Sequence, residues 1–136
     1  GRGDYLVKVI QKLPREIRSR LSLENDEHAY GAADILDICR RAGVPMVFDN
    51  HHHVVREKLA THDDPSIARF VKLAAQTWPD PSWQLVHLSN GLESIHDERH
   101  SQLIADFPKA YRKVPWVEVE AKGKEEAIYH LRTRLK

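Results

Sequence analysis

The stretch FDNHHHVV (48–55) sets one aspartate and three consecutive histidines directly after an apolar run. Imidazole and carboxylate together are donors that zinc, manganese and iron accept. Further donors stand elsewhere: Glu24 closes LSLE, His87 lies within LVHLS, His96 and His100 fall in HDERH, and Glu118 and Glu120 in WVEVEA. A single metal takes about three protein ligands and a water, and this inventory exceeds that. The surplus points to more than one divalent ion, and the common work of such sites is phosphate-ester hydrolysis.

These donors gain meaning from the elements that carry them. Asp4 can cap YLVKVIQKL, whose Leu6, Val9, Ile10 and Leu13 follow a helical period, and Pro14 opens a further helical piece, PREIRSR. Beyond it the pattern predicts a strand over 21–24, a helix over AADILDICRRA stopped by Gly43, and a strand over 44–49. A helix over 65–78 with proline at its first position and a strand over 83–89 come next. A helix over 96–107, a strand over 114–121 and a closing helix over 124–136 complete the chain. Such alternation with short connections gives parallel strands with helical crossovers, and the apolar run PMVF fits a strand covered on both faces. The expected fold class is α/β: about four βα units, a partial TIM (β/α)8 barrel, or a small open α/β sheet. An open half-barrel exposes two strand edges, so the chain is expected to pair with a second half or to be a piece of something longer.

In a parallel barrel the active site gathers at the C-terminal ends of the strands, where the loops converge. All four ends carry carboxylate or imidazole: Glu24, with Asn25 and Asp26 beyond it; Asp49, running into His51, His52 and His53; His87; and Glu118 with Glu120. Each also has an ordinary reading: Glu24 and Asp49 as helix caps, His87 as a buried structural histidine, one of the two glutamates as a partner of Lys122. Successive side chains of an extended stretch alternate, so at most one or two of the three histidines face one point. Asp49 and His52, three apart, can meet across a turn, leaving His51 and His53 to support or point elsewhere. His96 and His100 share a helical face, but the glutamate of HDERH is misplaced for the zinc-protease motif. His100 stays a candidate ligand, with Asp97 or Glu98 able to orient it. His28, His62 and His130 read as solvated.

Nine histidines are the compositional oddity of the 136 residues. With 41% hydrophobic and 30% charged residues the chain is otherwise an ordinary globular one, of a size for one domain. A net charge of +1 gives no global basic signature of a nucleic-acid binder, although a local phosphate site is compatible with it. The single cysteine, Cys39, falls in a helical pattern and reads as core packing. It excludes an internal disulfide framework and fits a cytoplasmic setting. No apolar run approaches the roughly 20 residues of a membrane span. The three tryptophans read as core or strand-flanking.

Five stretches in order, RLSLENDE (20–27), PMVFDNHHH (45–53), VHLSN (86–90), ERHS (98–101) and VEAKGKEEA (119–127), resemble the UV-damage endonuclease family. The resemblance covers essentially the whole chain and implies that residues 1–136 are one domain, the C-terminal half of such an enzyme's barrel. It implies a TIM barrel of the xylose-isomerase-like and endonuclease IV-like kind, and a DNA-repair hydrolase. Such an enzyme nicks damaged double-stranded DNA immediately 5′ of a UV photoproduct or other distorting lesion and leaves a 3′-hydroxyl. Its cofactor is a cluster of divalent ions, often Mn2+, with Zn2+ as the alternative. Position by position, the resemblance implies Glu24, Asp49, His52, His87, His100 and Glu120 as metal ligands, with Glu24, Asp49, His52 and Glu120 as the catalytic set. Asn25, His51 and Lys122 are implied in phosphate contact or support.

Two features depart from the family. Many members carry a lysine two residues before the histidine of the third motif, in some carbamylated and part of the metal site; here Leu85 stands there, after Gln84. The family's N-terminal half, with further histidine ligands and the residues that probe the lesion, has no counterpart in these residues. A second half-barrel, from a homodimer or an N-terminal region, is the expected partner. Two other readings stand beside this one: a xylose-isomerase-like sugar isomerase or epimerase, and a truncated homologue that folds without catalysis.

Overall fold

In the computed structural model, which describes residues 1–135, the chain begins α1 (Asp4–Lys12), α2 (Arg15–Arg18), β1 (Leu23–Glu24), α3 (Ala32–Ala42) and β2 (Met46–Asp49). It continues α4 (Asn50–Glu57), α5 (Pro65–Ala75), β3 (Leu85–Leu88), β4 (Trp116–Val119) and α6 (Glu125–Arg134). The four strands form one parallel sheet in sequence order, β1-β2-β3-β4, as in an arc cut from a (β/α)8 barrel. The register decides what the sheet can present. Glu24 lies opposite Val47, two residues before Asp49; Asp49 lies opposite His87, and His87 opposite Glu118, so neighbouring C-terminal strand ends finish within two residues of one another.

Helices α3 and α5 cover the sheet. The apolar stripe of α3 (Ile35, Leu36, Ile38, Cys39) and that of α5 (Ile67, Val71, Ala74) share one core with Met46, Phe48, Val86 and Leu88. Helix α3 stops at Gly43, whose left-handed backbone (φ 70°) lets its N–H reach the Cys39 carbonyl. Helix α5 starts with Pro65 behind Asp64, whose carboxylate accepts the Ser66 N–H. Cys39 is packed in the core as expected, and burial pushes its thiol up to about 12. Burial falls away across the sheet: β2 is wholly buried, while β4 alternates exposed and half-buried residues. β1 and β4 are edge strands, as an open half-barrel requires. No helix among the described residues is long and apolar enough to cross a membrane.

Several expectations need correction. Residues 96–107 form no helix. Local and distant polar groups claim the backbone that a helix would use: the Asp97 carboxylate accepts the N–H groups of Glu93 and Arg99, and the Asn90 side-chain oxygen accepts those of Ala105 and Asp106. The Ser101 N–H goes to the Asn90 carbonyl, and its carbonyl accepts the Lys122 N–H. Conversely, the three histidines do not continue extended but occupy the first turn of α4, because Asp49 caps that helix, its Oδ1 accepting the His52 N–H at 2.9 Å. His62, expected in solvent, is buried and accepts an Asn50 side-chain N–H at 2.8 Å; His130 is half-buried, and His28 is exposed as expected. Trp83 precedes β3 and Trp116 opens β4, and they stand 58% and 61% exposed. All four strands are shorter than expected, and Asp4 is the first residue of α1 rather than its cap. The expected end of the last helix at Lys136 lies outside the described residues.

Tyr111 ties the sheet from beneath the strand ends. Its buried hydroxyl lies 2.9 Å from the His87 carbonyl and 3.2 Å from that of Phe48, so it can donate to either. Tyr111→Phe removes that donor and is expected to lower stability by about 1–2 kcal/mol, read as a lower urea midpoint at unchanged slope.

Candidate metal centre

The strand ends bring five of the six expected ligands together. Glu24 ends β1, Asp49 ends β2, His52 lies on the first turn of α4, His87 is on β3, and Glu120 follows β4. Glu24 is the common member: its Oε1 lies 2.8 Å from His87 Nδ1 and 3.7 Å from His52 Nε2. Glu120 Oε1 is 3.4 Å from the same His87 Nδ1, and Asp49 Oδ2 is 3.9 Å from His52 Nε2. Two overlapping groups result, Glu24–His87–Glu120 and Glu24–Asp49–His52, in each of which the donor atoms lie within 4.8 Å of one another. Glu118 faces the other side of His87, 3.5 Å from Nε2. His100 stands at the rim, with Nε2 4.0 Å from Glu120 Oε2. A bridge to Gly91, not a helical face, carries it there, and His96 instead donates to the Leu59 carbonyl at 2.7 Å.

Asp49 divides its oxygens. Oδ1 caps α4, while Oδ2 is buried with no hydrogen-bond partner. Burial pushes this acid up to about 7 against the pull of His52, with Glu24 and Glu120 pushing the same way as burial. Burial also opposes charge on His87, but the hydrogen bond and charge of Glu24, with Glu120 and Asp49 behind it, prevail and lift it to about 9. His52 is raised too, Asp49 and Glu27 outweighing its burial. His87 therefore keeps a proton at neutral pH where the cluster calls for positive charge. Carboxylate oxygens, one of them orphaned and buried, together with inward imidazole nitrogens make a donor set that suits divalent manganese or zinc.

The family model described as UV-endonuclease UvdE matches residues 2–136. The chain belongs to that family. A UV DNA damage endonuclease of Deinococcus radiodurans is 59% identical over 132 residues, which are 97% of this chain and 43% of the relative. One from Nostoc sp. is 52% identical over 132 residues, 97% of this chain and 41% of its own. The crystal structure of SacUVDE matches with a TM-score of 0.74 at 26% identity, covering 100% of this chain and 48% of that one. The chain thus spans less than half the length of these relatives, and its four parallel strands match about half of a UvdE barrel.

The other expected residues take distinct places. Asn25 is buried, and its amide mimics one more rung of the parallel ladder: Oδ1 accepts the Asp49 N–H and Nδ2 donates to the Asp49 carbonyl, both at 3.0 Å. It positions Asp49 from a fully buried place beside the sheet. His51 is fully buried with neither ring nitrogen hydrogen-bonded. Burial, then the neighbouring His62, His52 and His100, hold it down to about 4. His53 packs its ring edge-on to Phe48 and Phe70 and meets Ser66 Oγ at 2.9 Å, a structural role. Lys122 is exposed in a cleft with Glu98, Arg99, His100 and Glu120. Leu85, at the lysine position of many UvdE members, pairs with Trp116 across the sheet and offers no donor. Glu27 is the residue the donor inventory omitted, although it lies within RLSLENDE: its Oε2 is 2.5 Å from His52 Nδ1. Asn25→Ala strands both backbone groups of Asp49, and at about 1–3 kcal/mol for each orphaned group the expected loss is roughly 2–6 kcal/mol in denaturant unfolding.

Proposed function

We propose that this chain is the half of a UV-damage endonuclease barrel that carries most of its divalent-metal cluster. With the other half in place, it nicks double-stranded DNA 5′ of UV photoproducts or other distorting lesions. The observation that carries this reading is the pair of donor groups joined through Glu24 in a chain of the UvdE family. Glu24, Asp49, His52, His87 and Glu120, with His100 at the rim, would hold the ions, manganese in the first place and zinc as the alternative. Such ions, when bound, offset phosphate charge and acidify water near neutral pH.

The chain's own groups do the rest. Asp49, buried and locked by Asn25 and by its capping bond, keeps its free oxygen aimed without reorganisation, which is what an electrostatically preorganised site requires. Arg99 in the adjoining cleft is tied to Asp97 and Glu93 at 2.8 and 3.1 Å. That leaves Lys122 as the cleft's uncommitted cation among the described residues, suited to a DNA phosphate beside the cluster. The edges of β1 and β4 are where a second half, an N-terminal region or another copy, would pair.

Residues 2–136 grafted into the Deinococcus radiodurans relative, in place of its matching segment, test the proposal. With Mn2+, the graft is expected to nick UV-irradiated duplex 5′ of lesions. Glu24→Gln should slow this by more than about 100-fold, beyond the 10–100-fold that loss of an outer-shell partner costs. Full-rate nicking by Glu24→Gln would place the chemistry elsewhere. No nicking by the parent graft would favour the non-catalytic homologue.

A further inference from the structure

We infer that Glu27 is the positioning residue of His52: it holds the ring by Nδ1 and so turns Nε2 toward Glu24 and Asp49. This deepens the metal reading above and rests on it for the use of the aimed nitrogen. The two ring nitrogens have different surroundings. Glu27 Oε2 lies 2.5 Å from Nδ1, whereas Nε2 sits 3.7 Å from Glu24 Oε1 and 3.9 Å from Asp49 Oδ2. The contact is a close charge pair off the N–H axis rather than an aligned hydrogen bond, and the negative charge beside Nδ1 favours the proton on that nitrogen and leaves the lone pair on Nε2. This is how a carboxylate partner fixes the tautomer and orientation of a metal-ligating histidine. The Glu27 and His52 side chains are only 14% and 21% exposed, so the contact is shielded from the screening that empties surface ion pairs of energy.

The main chain fixes where Glu27 stands. The Asp26 carboxylate accepts the N–H groups of His28 at 2.6 Å, Ala29, and Tyr30 at 3.2 Å, and the Asp26 N–H donates to the Tyr30 carbonyl, which closes the loop after β1. Arg56 Nη1 donates to the Glu27 carbonyl at 3.2 Å. Arg56 is one helical turn beyond His52 on α4, so the helix that presents the imidazole also holds the residue that aims it. Gly31 leaves space for this guanidinium, since a Cβ there would lie 2.6 Å from Arg56 Nε. Glu27 belongs to neither donor group of the centre; its Oε1 faces His28 at 3.6 Å.

The test compares wild type, Glu27→Gln and Glu27→Ala as the metal-free chain. Nitrogen-15 NMR, at alkaline pH where the ring is neutral and with His52→Gln for assignment, reads the His52 tautomer. Wild type and Glu27→Gln, whose amide carbonyl keeps a partly negative oxygen beside Nδ1, are expected in the Nδ1–H form, and Glu27→Ala in a mixture of both tautomers. Calorimetric titration with Mn2+ or Zn2+ should show Glu27→Ala weakened by about 10- to 100-fold at an unchanged number of ions, with Glu27→Gln recovering most of the affinity. Unchanged tautomer and affinity in Glu27→Ala would overturn the inference. Loss of one ion would also overturn it, by making Glu27 a ligand. If Glu27→Ala does not fold, Glu27→Asp, whose shorter carboxylate falls short of Nδ1, replaces it with the same expected shifts. If wild type takes up neither metal, the metal reading fails, and the tautomer comparison decides Glu27's part by itself.

Discussion

Carboxylates that converge repel. Donor oxygens of Glu24 and Asp49, and of Glu24 and Glu120, lie within 4.8 Å of each other, where two full negative charges cost roughly 3–4 kcal/mol at an effective dielectric of about 20. The parallel sheet brings this meeting about, because β1, β2 and the chain after β4 deliver their acids to the same C-terminal end, each offset from its neighbour by about two residues. Much of the surrounding structure answers it. His87 is raised far enough to carry charge between the acids, His52 is shifted in the same direction, and Asp49 is driven toward its neutral form. Protons relieve the repulsion at neutral pH, and divalent cations would relieve it more completely. Stability has been traded for charge at this end of the sheet, as expected where a site and not a core is being built.

The supporting frame works mostly through the backbone of Asp49. Asn25 holds both of its main-chain groups, Tyr111 donates beneath the same strand ends, and the capping bond fixes the carboxylate's rotation. Capping and ligation are commonly treated as rival explanations for an aspartate after a strand. Here the two are compatible: Oδ1 caps the helix, and Oδ2 is left without a protein partner. Helix α4 is the second frame, presenting His52 on one side, burying His51 and His53 on others, and reaching back with Arg56 to the loop that carries Glu27.

The strand-end donors were legible because each lies at the end of an apolar or alternating run, and run ends can be read without knowing the packing. Helix α4 was not legible: histidine is a weak helix former, and Asp49 signalled a turn as readily as a cap. The missing helix over 96–107 has the opposite cause. Leu103, Ile104 and Phe107 carry a helical period, but besides Asp97 inside the segment the partners that claim this backbone, Asn90 and Lys122, lie far along the chain and leave no local trace. The choice between Glu118 and Glu120 turned on which side of His87 each meets, and Glu27 became visible only once the ring of His52 had an orientation. His62 was misplaced for a similar reason, since its partner Asn50 belongs to the unforeseen helix.

Diffraction from crystals of this chain soaked in Mn2+, with anomalous differences measured near the manganese edge, tests the centre most directly. The expected result is two peaks, one among Glu24, Asp49 and His52 and one among Glu24, His87 and Glu120, both in contact with Glu24. Contradiction would be the absence of any peak at these groups, or a single peak confined to the outer cluster of Glu27, His28 and Glu98.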